Sequence, residues 1–237
     1  MTSGFDVRYV GRQRCGDEIA TVRFERPAGY SFEAGQWFTL ALETSEGPMR
    51  QTFSHSNAPS DDWLELTTRL TGSSFKRALE ALSPGDIAHI TGPGGRLALP
   101  SGAERVAFLV GGVGITPVRS VLRDARSCGR VFDDALLVFG NRDASCIPFA
   151  AEFESMSDMG VRVVDVLEQP SGTWEGERGF ITADLVKRHL PHGTAPLFFV
   201  TGPPVMVAAM ERVLDELGVP AQQRLIERFG AVHPGAG

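Results

Sequence analysis

The residues of this chain best suited to chemistry form two glycine-bearing turns. The first, Gly111-Gly112-Val113-Gly114-Ile115-Thr116-Pro117, follows the apolar run Val106–Val110 and opens a stretch in which Val118, Val121 and Leu122 share one helical face. Glycines at a strand-to-helix turn let the backbone approach a pyrophosphate. The helix N-terminus then aims unsatisfied N–H groups and a positive dipole end at the same place. Pro117 suits the first helical turn, where its missing N–H is no loss. The second turn, Thr201-Gly202-Pro203-Pro204, follows Leu197–Val200 and precedes the helical stretch Val205–Leu217. Ligands of open α/β sheets bind at the carboxyl ends of strands, so the two turns are expected to line one crevice. A tight turn needed only for packing would use the same glycines, and that reading stays open at this point.

The surrounding sequence falls into two halves with different patterning. Residues 1–102 hold short alternating stretches, such as Trp37-Phe38-Thr39-Leu40-Ala41-Leu42 and Trp63-Leu64-Glu65-Leu66-Thr67-Thr68. Turn clusters such as Glu46-Gly47-Pro48 and Thr91-Gly92-Pro93-Gly94-Gly95 separate them, the pattern of an antiparallel barrel or sandwich. One helix is predicted from Ser74 to Leu82, with Phe75, Ala78, Leu79 and Leu82 as its apolar face. Residues 103–237 alternate continuous apolar strands with helical stretches, the strands being Val106–Val110, Ala135–Phe139, Val161–Val166 and Leu197–Val200. Such a pattern reads as a parallel sheet covered on both faces. The expected fold class is thus two-domain, an N-terminal antiparallel β-barrel followed by a C-terminal α/β Rossmann-like domain. The tail Val232–Gly237 reads as disordered.

A net charge of −6 on 237 residues, with both signs mixed along the chain, argues against a nucleic-acid backbone as partner. The start lacks the basic and apolar regions of a signal peptide, and no apolar run reaches the roughly 18 residues needed to span a bilayer. A cytoplasmic protein with no membrane span is expected. Cys15, Cys128 and Cys146 show no CxxC spacing, so no zinc, iron–sulfur or other metal site is expected.

Behind a β-rich half and in this order, the two turns resemble those of the ferredoxin–NADP reductase superfamily over nearly the whole chain. The resemblance implies FAD, less often FMN, in the barrel and NADH or NADPH as substrate of the α/β domain. The family's flavin signature, Arg, any residue, Tyr or Phe, then Ser or Thr, is similar to Arg50-Gln51-Thr52-Phe53-Ser54. It implies Phe53 against the isoalloxazine ring, Ser54 near flavin N5, and His55, Ser56, Thr67, Thr68 and Arg69 along the ribityl chain and phosphates. Gln51 stands where the family has Arg, and Arg50 is one residue early. Neighbours on a strand face opposite sides, so Arg50 is expected to take over the phosphate contact only if the strand bulges.

Gly72-Ser73-Ser74-Phe75-Lys76 resembles the family's glycine–serine element, whose following helix receives the pyrophosphate. Gly111, Gly112, Val113, Gly114, Thr116 and Pro117, with Thr201, Gly202 and Pro203 opposite, are implied to seat the nucleotide. Arg142 is placed to meet an adenosine 2′-phosphate, without deciding between coenzymes. Glu227-Arg228-Phe229 resembles the family's Glu-x-Phe ending, which implies Phe229 on the nicotinamide side of the flavin and Glu227 near N5. Ser54, Glu227 and Phe229 are therefore the candidate catalytic residues. Thr201 stands where many members have Cys, which fits the oxygenase-reductase and flavohaemoglobin branches.

The function implied is hydride transfer from NAD(P)H to FAD and onward passage of electrons to a separate acceptor such as ferredoxin, flavodoxin or an oxygenase component. Two alternatives accompany it: a non-catalytic electron-transfer or regulatory subunit with weak flavin binding, suggested by Gln51, and a free-flavin reductase. Arg119, Arg123, Arg126 and Arg130 recur at steps of three and four, predicting one basic helix face that is either solvated or a dock for an acidic redox partner.

Overall fold

A computed structural model describes residues 4–190 and 196–229; the tail read as disordered lies outside the described residues. The chain forms two compact units, Met1–Leu99 with Thr116–Cys128, and Pro100–Ile115 with Gly129–Gly237. The helix that follows the first glycine turn thus belongs, by its packing, to the unit built from the β-rich half.

That unit contains β1 (Gly4–Cys15), β2 (Ile19–Glu25), β3 (Trp37–Thr44), β4 (Gly47–Ser54), β5 (Trp63–Arg69) and β6 (Ile87–Gly94), in the antiparallel order β4-β3-β6-β1-β2-β5. The period of two decides which side chains enter the core. In β3, Phe38, Leu40 and Leu42 are buried, and their partners across the ladder are Phe53, Gln51 and Met49 of β4. Residues of β1, β2, β5 and β6, including Tyr9, Phe24, Leu64 and Ile90, complete one cluster. Because both edge strands feed the same core, the sheet curls into a barrel. Helix α1 (Ser74–Ala81) adds Phe75 and Leu79 to the core, and its N-cap Ser73 accepts a hydrogen bond from the Lys76 N–H.

Helix α2 (Ile115–Ser127) corrects the reading of a solvent-facing arginine stripe. Arg119 is only 7% exposed and is bonded to Ser56 and Glu65, Arg123 pairs with Asp61, and Arg130 lies beyond the end of the helix. Three-residue spacing identifies a face but not what covers it.

The second unit contains β7 (Arg105–Gly111), β8 (Asp134–Asn141), β9 (Val161–Leu167), β10 (Glu177–Arg178), β11 (Leu197–Gly202) and β12 (Arg224–Arg228), all parallel, in the order β10-β9-β8-β7-β11-β12. Helices α3 (Ala150–Glu154), α4 (Ala183–His189) and α5 (Pro204–Glu216) connect strands. Val106–Val110 are all at most 1% exposed, which is why β7 reads as an unbroken apolar run. The chain steps from β7 outward to β10, then returns to place β11 and β12 on the other side of β7. Strand order therefore reverses between β7 and β11, where ligands of such sheets bind. No helix among the described residues is long and apolar enough to cross a membrane.

Candidate functional site

The two glycine turns meet at this reversal. Gly111 ends β7, Gly112–Gly114 form a 3-10 turn leading into α2, and Thr201-Gly202 end the neighbouring β11. The Thr201 hydroxyl donates to the Gly114 carbonyl at 2.6 Å. A Cβ on Gly114 would lie 2.5 Å from the Thr201 carbonyl oxygen, and Cβ atoms on Gly111 and Gly202 would lie 2.7 and 2.6 Å from the Met206 sulfur. Gly202 sits at φ +156 and Gly112 at φ +52. Packing against backbone therefore demands glycine at 114 whatever binds beside it, whereas at 111 and 202 a Cβ would displace the flexible Met206 side chain. Val113 is half-buried, whereas Thr116 (2% exposed) and Pro117 are buried at the start of α2. Pro203 is the N-cap of α5 with no side-chain cap, so the first N–H groups of that helix have no side-chain acceptor from the cap residue.

Two buried polar atoms at the carboxyl ends of these strands have no hydrogen-bond partner among the described residues: Asn141 Nδ2, closing β8, and Glu227 Oε2 in β12. Native structures leave few such groups unpaired, so a donor and an acceptor without partners at one sheet edge fit a polar ligand. Burial raises the Glu227 carboxyl to about 7. Glu227 pairs in register with Thr201, and the Phe229 N–H donates to the Gly202 carbonyl at 3.0 Å, tying the Glu-x-Phe segment to the second glycine turn. Arg142 follows Asn141 and is exposed. Asn141 escaped the sequence reading; a polar residue ending an apolar strand was its only signal.

In the barrel unit, β4 pairs with β3 without a bulge, each residue from Gly47 to Ser54 facing one partner. Gln51 and Phe53 lie on the inward side, while Arg50 and Thr52 are exposed on the other. The outer row is thus Arg50, Thr52 and Ser54, with the Thr39 and Thr52 hydroxyls 2.9 Å apart. The bulge that would bring Arg50 onto the face of Gln51 and Phe53 is absent, and Arg50 is exposed on the opposite face. Phe53, 9% exposed, packs on Phe75 with ring centroids 5.9 Å apart, and the Lys76 ammonium lies 4.3 Å from its ring centroid. The ring therefore sits in the barrel core in this structure.

Several other flavin candidates have their side chains committed within the protein. His55 is fully buried, stacked on Phe32 at 3.7 Å; its Nδ1 lies 2.7 Å from the Gln36 carbonyl and its Nε2 3.0 Å from the Tyr30 hydroxyl. A carbonyl only accepts, so Nδ1 carries the proton and Nε2 accepts from Tyr30. Burial lowers the imidazole to about 3, keeping it neutral, and raises the Tyr30 phenol. Ser56 donates to Glu65 at 3.0 Å and accepts from Thr67 at 3.2 Å; Thr67 also meets the Thr21 hydroxyl at 2.9 Å. Thr68 accepts from Lys76 at 2.7 Å. The implied flavin contacts of His55 and Ser56 are thus confined to backbone atoms.

Arg69, Gly72 and Ser73 are exposed. Ser74 is buried and donates to Glu46, while Arg77 donates to it at 2.9 Å. Arg50 and Thr52 are exposed on one face of β4, while α1 packs through Phe75 and Lys76 against Phe53 on the other, its first turn capped by Ser73. Lys76 and Glu65 were not singled out as site residues. Lys76 has no carboxylate partner among the described residues, and burial lowers it to about 8. Burial acting alone would raise Glu65, but the charge of Arg119 and hydrogen bonds from Arg23, Arg119 and Ser56 outweigh it and hold the carboxyl below its ordinary value.

Comparison with known proteins agrees with this layout. The profile of the family described as oxidoreductase NAD-binding domain matches residues 108–212. Ferredoxin–NADP reductase B of Sorangium cellulosum is 30% identical over 239 aligned positions, covering 95% of this chain and 97% of the relative. NADH-cytochrome b5 reductase 1 of Aspergillus terreus is 29% identical, covering 84% of this chain and 73% of its own. Among solved structures, a ferredoxin NADP+ reductase from Neisseria gonorrhoeae with bound FAD and NADP superposes with a TM-score of 0.82 at 21% identity, covering 96% and 99% of the two chains. End-to-end similarity and a shared two-part architecture establish that the chain belongs to the ferredoxin–NADP reductase superfamily of FAD-dependent NAD(P)H oxidoreductases.

Proposed function

We propose that the protein takes hydride from NADH or NADPH onto FAD and hands the electrons to a separate redox protein such as ferredoxin, flavodoxin or an oxygenase component. The observation that carries this reading is the pair of glycine turns locked together by Thr201 and Gly114 at the strand reversal, with polar atoms of Asn141 and Glu227 at the carboxyl edge of the same sheet unpartnered among the described residues. When bound, FAD supplies the hydride acceptor and the means of releasing electrons one at a time.

The protein's task is positioning and electrostatics. Arg50, Gly72 and Ser73 would meet the FAD phosphates, and Ser54 lies on the same strand face as Arg50. Gln51 faces inward, so its replacement of Arg is no reason to expect weak flavin binding. Gly111 to Gly114, Thr116, Pro117, Gly202 and Pro203 seat the coenzyme, Arg142 meets its adenosine end, and Phe229 covers the nicotinamide. Glu227, held near half-protonation at neutral pH by burial, presents Oε2 as a proton donor or acceptor. The relatives' names, a ferredoxin–NADP reductase and an NADH-cytochrome b5 reductase, support a protein acceptor of either kind.

The acceptor is tested by supplying NADH or NADPH with ferredoxin, flavodoxin, cytochrome b5 or free FMN in turn. Rapid reduction of a protein acceptor with FAD retained supports the proposal. Turnover only with free flavin and poor FAD retention would make the protein a flavin reductase, and absence of coenzyme oxidation with every acceptor would make it a non-catalytic subunit.

A further inference from the structure

A heavily buried ion pair among the described residues of the barrel unit joins helix α2 to strand β5. The Arg119 side chain is 9% exposed and that of Glu65 2%. Arg119 Nη1 donates to the Glu65 carboxylate and, at 2.8 Å, to the Ser56 carbonyl. One residue on, Ser120 Oγ donates to the Asn57 carbonyl at 2.7 Å; one helical turn on, Arg123 Nη2 pairs with Asp61 at 3.1 Å. All three helix residues thus reach partners within residues 56–65.

Those partners are themselves fixed. Glu65 Oε1 also accepts from Ser56 Oγ, and Oε2 accepts from Arg23 at 2.9 and 3.3 Å. Its backbone N–H donates to Asn57 Oδ1 at 3.0 Å, while its carbonyl accepts from Ser56 N–H at 2.9 Å. Ser56 and Asn57 continue directly from Ser54 and the buried His55. Thr116 precedes Arg119 by three residues, roughly 4.5 Å along the helix axis.

Stability alone does not account for such a pair. Burying two charges costs about as much as their attraction returns, and apolar side chains of the same shape often serve as well. One nitrogen of a rigid planar guanidinium donates to a carboxylate and a carbonyl together and so fixes a direction, which the freely rotating ammonium of a lysine holds less firmly.

We infer that Arg119, acting through Glu65 and Ser56, is a positioning residue that sets the first turn of α2, and with it Thr116, in register with the flavin-bearing segment Ser54–Asn57. The inference rests on the reading that Thr116 and Pro117 seat the coenzyme.

The test uses the FAD-loaded enzyme and NAD+ and NADP+ as non-reducing probes, whichever binds the wild type. R119M weakens that probe by roughly tenfold to a hundredfold, the scale of a small misplacement. It also raises KM for the reduced coenzyme far more than it lowers kcat, and flavin content stays at the wild-type level. R119K recovers only part of the affinity. The double variant E65L/R119M removes both charges and separates packing from positioning: its melting temperature returns toward wild type while coenzyme affinity stays low. Probe affinity within about twofold of wild type in R119M, or restored together with stability in the double variant, would overturn the inference. A wild-type enzyme that bound neither coenzyme would instead overturn the functional reading beneath it.

Discussion

The Thr201 hydroxyl donates a 2.6 Å hydrogen bond to the carbonyl of Gly114, 87 residues earlier in the chain, and so closes one glycine turn against the other. Thr201 is fully buried, so the bond cannot be exchanged for one to water. T201V should leave the Gly114 carbonyl unpaired and destabilise the protein by about 1–3 kcal/mol, the usual cost of an orphaned buried acceptor. T201S keeps the hydroxyl and should stay near wild type. G114A puts a methyl 2.5 Å from a backbone oxygen, so the turns must part and coenzyme affinity should fall further than in T201V. Thermal unfolding and coenzyme titration of the three variants check this.

Glu227 should be visible in pH profiles. Its carboxyl is raised from 4.5 to about 7 by burial, so the folded protein holds a proton there that the unfolded chain releases. The associated stability is fully present below about pH 4.5 and is lost as pH rises through 7. Coenzyme oxidation should likewise show an apparent pKa near 7 that disappears in E227Q, while FAD content is unchanged. A profile in E227Q that kept the same inflection would remove Glu227 from the mechanism.

His55 gives the opposite sign. Its imidazole is lowered from 6.5 to about 3, so the unfolded state binds the extra proton. The stability it contributes is complete above about pH 6.5 and is lost as pH falls toward 3, at up to about 1.4 kcal/mol per pH unit. Urea unfolding between pH 3 and 7 should show this slope reduced in H55Q, which is less stable at neutral pH because the Tyr30 and Gln36 contacts change.

Lys76 is expected to cost stability. The residue is 6% exposed with no carboxylate beside its ammonium among the described residues, and burial lowers it from 10.5 to about 8. K76M should therefore stabilise the apoprotein at neutral pH by about 2–3 kcal/mol. The gain should shrink as pH rises from 8 to 10.5, because the folded lysine is by then neutral while the unfolded one is losing its proton. Chemical denaturation at pH 7 and pH 10.5 gives both numbers.

Most of the fold was legible because burial imposes period on sequence. The unbroken apolar run at Val106–Val110 and the alternation at Trp37–Leu42 announced a covered parallel strand and a half-buried antiparallel one. The phase of β4 was not legible. Aligning on Phe53 made Gln51 look like the accessible residue, whereas pairing with Phe38 and Leu40 turns both inward and leaves Arg50 and Thr52 outside. Nor could the arginines of α2 reveal their fate, since Glu65 and Asp61 lie more than 50 residues earlier. His55 looked like a ligand by its place in the motif, but its aromatic clamp comes from Tyr30 and Phe32, which no local pattern connects to it.

The central claim is that one chain holds FAD and reduces it with a nicotinamide coenzyme. Anaerobic titration of the purified FAD-loaded protein with NADH and with NADPH, followed at the flavin absorption band, tests it most directly. We expect the band to bleach with about one equivalent of at least one coenzyme, and to bleach far more weakly in G114A. Protein that takes up no FAD, or whose flavin band is unchanged by both coenzymes, would contradict it.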